Sequence, residues 1–358
     1  CGGTYVGENS QAYLEVTGVV IDSRKVEPGY LFVALKGERV DGHSFIPAVF
    51  AKGAACVLCE HAPEHPAGPY ILVESCLQAL KSLAEYYRST LSIPVVGITG
   101  SVGKTSTKEM IAAVLGQKYQ VLKTEGNFNN EIGLPLTIFR IREEHEAAVL
   151  EMGISDFGEM TRLSRMAKPN FCVITNIGLC HLENLKDRDG ILKAKTEMFQ
   201  EAQPGAHIIL NGDDDKLITL RESRTPTPCF FGLDSSNDLY AEQIENLGLA
   251  GTCCTFVTKA GNFQAHIPIP GRHMVYNALA GTAVGLALHL TPEEIKAGIE
   301  SLTPVSGRNN LIHTEKWDIL DDCYNANPVS MCASLDVLGC ALGRKVAILG
   351  DMGELGEH

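Results

Sequence analysis

The stretch GITGSVGKTSTKE, residues 97–109, constrains the fold most, because it joins a predicted strand to a predicted helix. The apolar run IPVV precedes it, and MIAAVL follows it with apolar residues at helical spacing. Glycines at a strand-to-helix turn allow the backbone N–H groups to face an anion at the start of the helix. The stretch therefore predicts a phosphate-binding loop in an α/β fold.

This loop departs from the common pattern G-x-x-x-x-G-K-[ST], because Ile98 stands where the first glycine is expected. The remaining TGSVGKT keeps Gly100 and Gly103 for the tight backbone. Lys104 is predicted to reach the terminal phosphates, and the Thr105 hydroxyl to bind Mg²⁺. The alternative is an ordinary glycine-rich turn, but the strand and helix on either side favour a phosphate loop.

Three segments follow one another along the chain. Residues 1–88 alternate short predicted strands with helical stretches, and residues 89–303 repeat apolar strands with helical patterns between several of them. That spacing predicts a mostly parallel sheet with crossover helices. Residues 304–358 contain WDILDDCYN and RKVAILGDM, which predict two strands of a third α/β unit. This unit stops after only about 50 residues, so we expect it to be truncated.

Composition excludes several functional classes. A formal net charge of −13 argues against general binding to a nucleic-acid backbone. No apolar run approaches the ~18 residues of a membrane span, so neither nucleic acid nor a membrane is an expected partner.

The 12 cysteines are scattered and mostly lie in apolar runs, as do Cys172, Cys180 and Cys340, which predicts reduced, buried thiols and a cytoplasmic protein. The CVLC of residues 56–59 has no second CxxC nearby and is discounted as a zinc or redox motif. The chain opens at Cys1 rather than Met, which leaves open a preceding segment.

Polar residues follow several of the predicted strands. Glu151 ends the run AAVLE, at the sheet edge where α/β folds present catalytic or metal-binding groups, and suits a Mg²⁺ ligand. His181 follows FCVITNIG, but a lone histidine is more often structural. Lys193, Lys195 and Glu197 lie on one helical pattern. From the pattern alone they are interpreted as a solvated charged face.

Two later stretches carry further polar residues. Asn277 is a polar residue in the helical pattern of residues 271–281. It could be a functional group, or its amide could be buried in the core and hydrogen-bonded there. DDCYNANP, residues 321–328, places Asp321 and Asp322 at the end of a strand, followed by turn-forming asparagines. An ordinary loop is an equal alternative there.

Taken together, these stretches resemble the Mur ligase family of ATP-dependent amide-forming enzymes of peptidoglycan precursor synthesis. TGSVGKT is the form that the phosphate loop takes in this family. The stretches NFNNEIGLP and YNANP resemble the corresponding stretches of the family members that add D-alanyl-D-alanine to UDP-N-acetylmuramoyl-tripeptide. The stretches that carry the resemblance are TEGNFNNEIGLP (124–135), LEMGISDFGEM (150–160), TNIGLCHLENL (175–185), DDCYNANPVSM (321–331) and ILGDMGELGE (348–357).

The resemblance implies a three-domain α/β architecture, with a central phosphate-loop domain and an incomplete Rossmann-like C-terminal domain. It implies ATP and Mg²⁺ as cofactors, and Lys195 matches a position where several members carry a carbamylated lysine. Asn277 matches a position near the adenine, Arg308 one near the phosphates and Asp322 one near the ribose. The resemblance implies four catalytic residues: Lys104, His181, Lys195 and Arg308. The residues implied for the nucleotide loop are Gly100, Ser101, Gly103, Lys104, Thr105 and Ser106. The implied metal ligands are Thr105, Glu151, His181 and Lys195.

On the substrate side, residues 22–37 and 41–43 resemble the unit that binds the UDP end, with Ser23 and Arg24 as candidate contacts. Asn129 and Asn130 are expected near the reacting carboxylate. The implied reaction converts this carboxylate to an acyl phosphate, which the amine of D-alanyl-D-alanine attacks, in a cytoplasmic monomer. A ligase for a single amino acid or for glutamate on folate is less compatible with the first segment and NFNNEIGLP. A nucleotide-binding protein that does not ligate stays open, because the family's third domain is longer.

Overall fold

The structure is a computed structural model that describes residues 1–222 and 227–353. Its strands are β1 (Thr4–Val6), β2 (Gly18–Val20), β3 (Tyr30–Val33), β4 (Cys56–Cys59), β5 (Tyr70–Leu72), β6 (Val95–Thr99), β7 (Val121–Lys123), β8 (Ala147–Glu151), β9 (Phe171–Ile174), β10 (His207–Asn211), β11 (Cys229–Gly232), β12 (Leu239–Asn246), β13 (Thr252–Val257), β14 (Phe263–Ile267), β15 (Asn310–His313) and β16 (Asp318–Asp321). Its α-helices are α1 (Ile46–Ala51), α2 (Cys76–Ser89), α3 (Lys104–Leu115), α4 (Gly133–Ile138), α5 (Glu159–Ala167), α6 (Leu182–Leu185), α7 (Arg188–Thr196), α8 (His273–Ala287), α9 (Pro292–Glu300) and α10 (Pro328–Gly339).

The chain folds into two compact units that do not follow its order. The first comprises Cys1–Ser92 together with Glu125–Arg142, and the second comprises Ile93–Thr124 and the described chain from Glu143 onward. The predicted limits at residues 88 and 303 divide the chain contiguously and stay a prediction.

The first unit contains a five-stranded sheet in the order β1-β5-β4-β3-β2. Only β1 runs antiparallel to its neighbour. Phe32, Val49 and Val57 are fully buried in the core of this unit. Helix α4 belongs to this unit although it comes after α3, and an ion pair of 2.6 Å joins Lys81 on α2 to Glu131 just before α4.

The second unit contains a nine-stranded sheet in the order β14-β13-β12-β11-β10-β9-β6-β8-β7. The strands from β7 to β12 pair in parallel, and β13 and β14 add an antiparallel edge. The prediction of a mostly parallel sheet is therefore confirmed. Every residue of β6 and β8 is buried, which explains why both read as continuous apolar runs. Helix α3 contributes Met110 and Val114 to the core, where α8 adds Leu279.

Two details differ from the sequence-based expectations. Residues 344–349 form no strand, because no described strand lies alongside to accept their backbone hydrogen bonds. Cys340 is exposed rather than buried, because it follows the last residue of α10. Cys172 is buried and Cys180 is half-buried, and all 12 cysteines are free thiols.

Within residues 1–222 and 227–353, every helix is too short or too polar to cross a bilayer.

Candidate nucleotide and metal site

The predicted phosphate loop lies at the carboxyl end of β6, where the chain turns into α3. Gly103 is the residue before α3 and has a φ of 79°, in the left-handed region that favours glycine. Gly100 has a φ of 153°, and an added Cβ atom there would lie 1.9 Å from the Thr175 hydroxyl oxygen. Both glycines are thus required by the local backbone, as a loop that approaches phosphates closely demands.

The segment after β9 braces this loop from the side. The Asn176 carbonyl accepts a hydrogen bond from the Ser101 N–H at 3.1 Å, and the Asn176 side chain accepts one from the Val102 N–H at 3.0 Å. The Ser101 hydroxyl donates to the Gly178 carbonyl at 3.0 Å. These hydrogen bonds hold Ser101 and Val102 of the loop against the segment after β9.

Lys104 folds over the loop at the first position of α3. Its ammonium donates to the carbonyl of Gly100 at 2.8 Å. Desolvation lowers the pKa of Lys104, the charge of Glu151 opposes this shift, and the charge of Arg308 adds to it. Glu151 and Arg308 are therefore near enough to Lys104 for their charges to affect its pKa.

The side chains of Thr105 and Glu151, both predicted to bind Mg²⁺, meet beside the loop. The Thr105 hydroxyl donates to the Glu151 carboxylate at 3.1 Å, and Glu151 is only 2% exposed at the end of β8. Hydroxyl and carboxylate oxygens are the ligands that Mg²⁺ prefers. Among the described residues, no group of three or more His, Cys, Asp and Glu side chains could hold a metal. A metal at this pair would therefore need further ligands from water or a bound phosphate.

Lys195 is buried, which corrects its interpretation as part of a solvated face. It is 1% exposed, because α7 turns this residue inward while Lys193 stays exposed. Burial, followed by the charge of Lys104, lowers the pKa of Lys195 to about 7, and Cys180 opposes this shift. A substantial fraction of neutral amine follows at neutral pH.

Glu197 also differs from the prediction of a solvated charged face. Its carboxylate accepts hydrogen bonds from the Gly158 N–H at 2.9 Å and the Thr161 hydroxyl at 3.1 Å. These groups lie at the start of α5, so Glu197 caps a helix that is distant in sequence. The interpretation fails because the contact between Glu197, just after α7, and the start of α5 cannot be seen in a single helical pattern.

His181 is half-buried and has a φ of 51°, immediately before α6. It follows the segment that braces the loop, and the neighbouring Cys180 thiol lies 3.2 Å from the Ser101 hydroxyl. The backbone thus carries His181 towards the loop. Its role as a metal ligand stays a prediction.

A shallow, open cleft lies beside the start of α3. Its lining residues are Thr105, Ser106, Glu109, Ile269, Met274, Leu302, Thr303, Val305, Arg308 and Asn309. Arg308 packs its guanidinium carbon 4.3 Å from the centroid of the Tyr324 ring. Asn309 is 7% exposed, and its side-chain oxygen has no hydrogen-bond partner in the described chain. The cleft thus offers an apolar wall, a cation and a buried acceptor.

The other two predicted nucleotide contacts serve as links in the free protein. The Asn277 side-chain oxygen accepts a hydrogen bond from the Thr107 hydroxyl at 3.0 Å, which joins α8 to α3. Asp322 accepts hydrogen bonds from the Asn309 N–H at 3.1 Å and from the Ser334 hydroxyl. Both therefore lie on elements that border the site, while their contacts with adenine and ribose stay predictions.

The four predicted substrate contacts belong to the first unit. The Arg24 side chain is exposed and pairs with Asp22 at 2.9 Å, which lowers the pKa of Asp22 to about 2. The Ser23 carbonyl accepts from Lys52 at 2.8 Å. Asn129 is half-buried, and the Asn130 side chain accepts from the Gly133 N–H at 2.8 Å, which caps α4.

Sequence reasoning missed Lys108, Thr124 and Asn309. Lys108 is 2% exposed on α3, and Thr124 is fully buried and accepts the Glu151 N–H through its hydroxyl at 3.0 Å. A lysine four residues after Lys104, on the face that carries buried residues, is the one signal that could have identified Lys108.

Comparison with known proteins connects this site to one family. Residues 98–285 match the Mur ligase middle domain, and residues 15–88 match the model described as the Mur ligase family catalytic domain. The UDP-N-acetylmuramoyl-tripeptide–D-alanyl-D-alanine ligase of Bacillus subtilis is 42% identical, over 96% of this chain and 75% of its own length. That of Escherichia coli is 36% identical, over 98% and 78%.

Solved structures agree. MurF from Acinetobacter baumannii superposes with a TM-score of 0.90 at 36% identity, covering 96% of this chain and 75% of its own. MurF ligase from Thermotoga maritima in complex with ADP gives 0.85 at 33% identity, covering 96% and 80%. With the phosphate loop, the Thr105–Glu151 pair and the sheet order already established, these matches show that the chain belongs to the Mur ligase family.

Proposed function

We propose that this protein joins D-alanyl-D-alanine to UDP-N-acetylmuramoyl-tripeptide in an ATP-dependent reaction of peptidoglycan precursor synthesis. The observation that carries the proposal is the Thr105–Glu151 pair, 3.1 Å apart, beside Lys104 at the start of α3. The relatives that are 36–42% identical carry the name of this ligase. The geometry and the names therefore support one reaction.

The nucleotide site combines the loop and the cleft. A relative with 33% identity was solved with ADP, which supports ATP as the nucleotide here. Backbone N–H groups at the start of α3 would bind phosphate oxygens, and the cleft would take the nucleoside. The unpaired buried oxygen of Asn309 fits this assignment, because a buried acceptor without a donor is costly unless a ligand supplies one. Asn277, Arg308 and Asp322 are proposed as the contacts around adenine, phosphates and ribose.

The donor set beside the loop fits Mg²⁺. Thr105 and Glu151 would hold it with phosphate oxygens and water, and it would supply neutralisation of phosphate charge. His181 and Lys195 are proposed for a second ion. A lysine becomes an anionic ligand when its neutral amine adds to CO₂ and releases a proton, and the buried amine of Lys195 has the low pKa that this addition needs.

The residues of this chain would act mainly by placing positive charge beside the transferring phosphoryl group. The tripeptide carboxylate does not react with an amine directly, because the oxygen that would have to leave its carbonyl carbon is a poor leaving group. Transfer of the γ-phosphoryl group to this carboxylate gives an acyl phosphate, and the dipeptide amine then displaces phosphate. Lys104 and Arg308 would neutralise the negative charge that accumulates on the phosphoryl oxygens. Ser23 and Arg24 would hold the UDP end, and Asn129 and Asn130 would orient the reacting carboxylate. Free thiols and the use of ATP support a cytoplasmic location.

The test is phosphate release from ATP with UDP-N-acetylmuramoyl-tripeptide, with and without D-alanyl-D-alanine, together with mass analysis of the product. We expect release to need both substrates and the product mass to equal tripeptide plus dipeptide. Lys104→Met should abolish release because it removes the cation at the phosphates. Lys118→Met is the matched control, since Lys118 donates to the His289 carbonyl at 2.8 Å beyond the far end of α3.

Product formed from a single amino acid but not from the dipeptide would contradict the assigned substrate. Full activity of Lys104→Met would contradict the phosphate-loop assignment.

A further inference from the structure

A buried lysine, Lys108, forms an ion pair on helix α3 and has no role in the site proposed above. Lys108 on α3 is 2% exposed, and its ammonium lies 3.0 Å from the Glu109 carboxylate. Glu109 also pairs with Lys123 at the end of β7. Burying an ammonium is costly unless its partners are well placed. An apolar residue of similar length would fill this position more cheaply, so the charge invites a functional explanation.

The Lys108 ammonium donates to the Thr124 carbonyl at 2.7 Å. Thr124 is fully buried and is held at two further points. Its N–H donates to the Val149 carbonyl at 3.0 Å, and its hydroxyl accepts the Glu151 N–H at 3.0 Å. Lys108 thus fixes the residue that in turn holds the backbone of Glu151.

These bonds form a closed circuit. The Glu151 carboxylate accepts from the Thr105 hydroxyl at 3.1 Å, and Thr105 lies three residues before Lys108, on the same side of α3. The circuit runs from Lys108 through Thr124 and Glu151 to Thr105, and returns along the helix. It connects α3, the end of β7 and β8. Lys108 is therefore connected to both proposed metal ligands through hydrogen bonds and the helix backbone.

We propose that Lys108 is a positioning residue, which holds Glu151 and Thr105 at the separation that a divalent cation requires by clamping the Thr124 carbonyl. The inference rests on the proposed function only in taking Thr105 and Glu151 as the metal ligands. Lys108 itself contacts neither metal nor substrate.

The first experiment measures Mn²⁺ binding to the protein–ADP complex by electron paramagnetic resonance. In Lys108→Met, we expect the Mn²⁺ dissociation constant to rise ~10–100-fold, the range for losing a group that orients a metal ligand. ADP binding in EDTA should be unchanged, because the loop N–H groups remain. Lys118→Met is again the control and should leave both constants unchanged.

A second variant guards against misfolding. Thr124→Val keeps the side-chain shape but removes the acceptor of the Glu151 N–H, so it should weaken Mn²⁺ binding in the same direction. The double variant with Lys108→Met should add little, since both changes open one circuit. Hydrogen exchange at the Glu151 amide should be faster in each variant, whereas Lys108→Arg should restore part of the Mn²⁺ affinity.

A purely structural ion pair would lower the thermal midpoint of Lys108→Met yet leave Mn²⁺ affinity and exchange at the Glu151 amide unchanged, and that result overturns the inference. Glu151→Gln separates the two levels of the argument. If Glu151→Gln weakens Mn²⁺ binding and Lys108→Met does not, the positioning role alone is wrong. If Glu151→Gln has no effect, the metal assignment in the proposed function is wrong.

Discussion

Two buried lysines with different surroundings lie near the phosphate loop. Lys108 donates to a carbonyl and pairs with Glu109, so its charge is compensated. Lys195 has Lys104 as its charged neighbour, which disfavours the ammonium form beyond the effect of burial. At the residue scale, the first lysine suits a fixed support. The second suits chemistry that needs a neutral amine.

Lys195 should make stability depend on pH. Its folded pKa of about 7 is below the ordinary 10.5, so between these values the unfolded chain binds more protons and stability rises with pH. In CO₂-free buffer, the free energy of unfolding of the wild type, relative to Lys195→Met, should increase from pH 7 to 9 by at most about 1.4 kcal/mol per unit. Denaturant titrations across this range measure it.

Bicarbonate should further stabilise the wild type and leave Lys195→Met unchanged, if the amine adds CO₂. A difference between the two proteins that stays flat from pH 7 to 9 would show that Lys195 is not desolvated as described.

At the element scale, helix starts are stabilised in two ways. Helix α9 carries a local capping box, in which Thr291 and Glu294 satisfy each other's backbone N–H groups. Helix α5 starts after Gly158, which has no side chain to cap it, and relies on Glu197 beyond α7. The capping box of α9 can be recognised in four consecutive residues of the sequence. The cap of α5 instead comes from Glu197, just after α7, and so connects two elements that are distant in sequence.

Replacing Glu197 with Ala should destabilise the protein by ~0.5–2 kcal/mol, the usual cost of losing a helix cap. Denaturant unfolding measures this loss. The matched control is Glu201→Ala, because Glu201 forms a 2.8 Å ion pair with Arg165 at the surface, and such pairs contribute only ~0–1 kcal/mol. Equal effects of the two substitutions would contradict the capping role of Glu197.

At the scale of the whole molecule, the proposed sites divide between the two compact units. The nucleotide and metal groups lie in the second unit, and the four proposed substrate contacts lie in the first. Residues 125–142 leave the second unit after β7, contribute α4 to the first, and return before β8. Each unit can therefore be tested with its own ligand.

We expect ADP with Mg²⁺ to protect the backbone amides of residues 97–109 from hydrogen exchange, and UDP-N-acetylmuramoyl-tripeptide to protect those around Ser23 and Arg24. A ligand at 100 times its dissociation constant stabilises the folded state by about 2.7 kcal/mol, which a shift in thermal midpoint should also report. Lys104→Met should weaken the ADP effect alone. Protection of residues 97–109 by the UDP compound, without protection around Ser23, would reverse the assignment.

Local patterns allowed much of the fold to be predicted. The strands around the phosphate loop, its glycines and the Lys104–Thr105 pair are adjacent in the chain, so their geometry follows from backbone sterics and hydrophobic periodicity. The parallel sheet followed from the repeated strands, and Glu151 from its place at a strand end. Residues 344–349 show the limit of this reasoning, because a strand also needs a partner.

The class of fold, the phosphate loop and the family resemblance can be predicted from the amino-acid sequence, since each depends on neighbouring residues. The burial of Lys195, the capping of α5 by Glu197, the hydrogen bond from Lys108 to Thr124 and the place of residues 125–142 in the first unit are visible only in three dimensions. Desolvation and hydrogen-bond partners are properties of the space around a side chain. In these cases that space is filled by segments distant in sequence, and no local pattern records them.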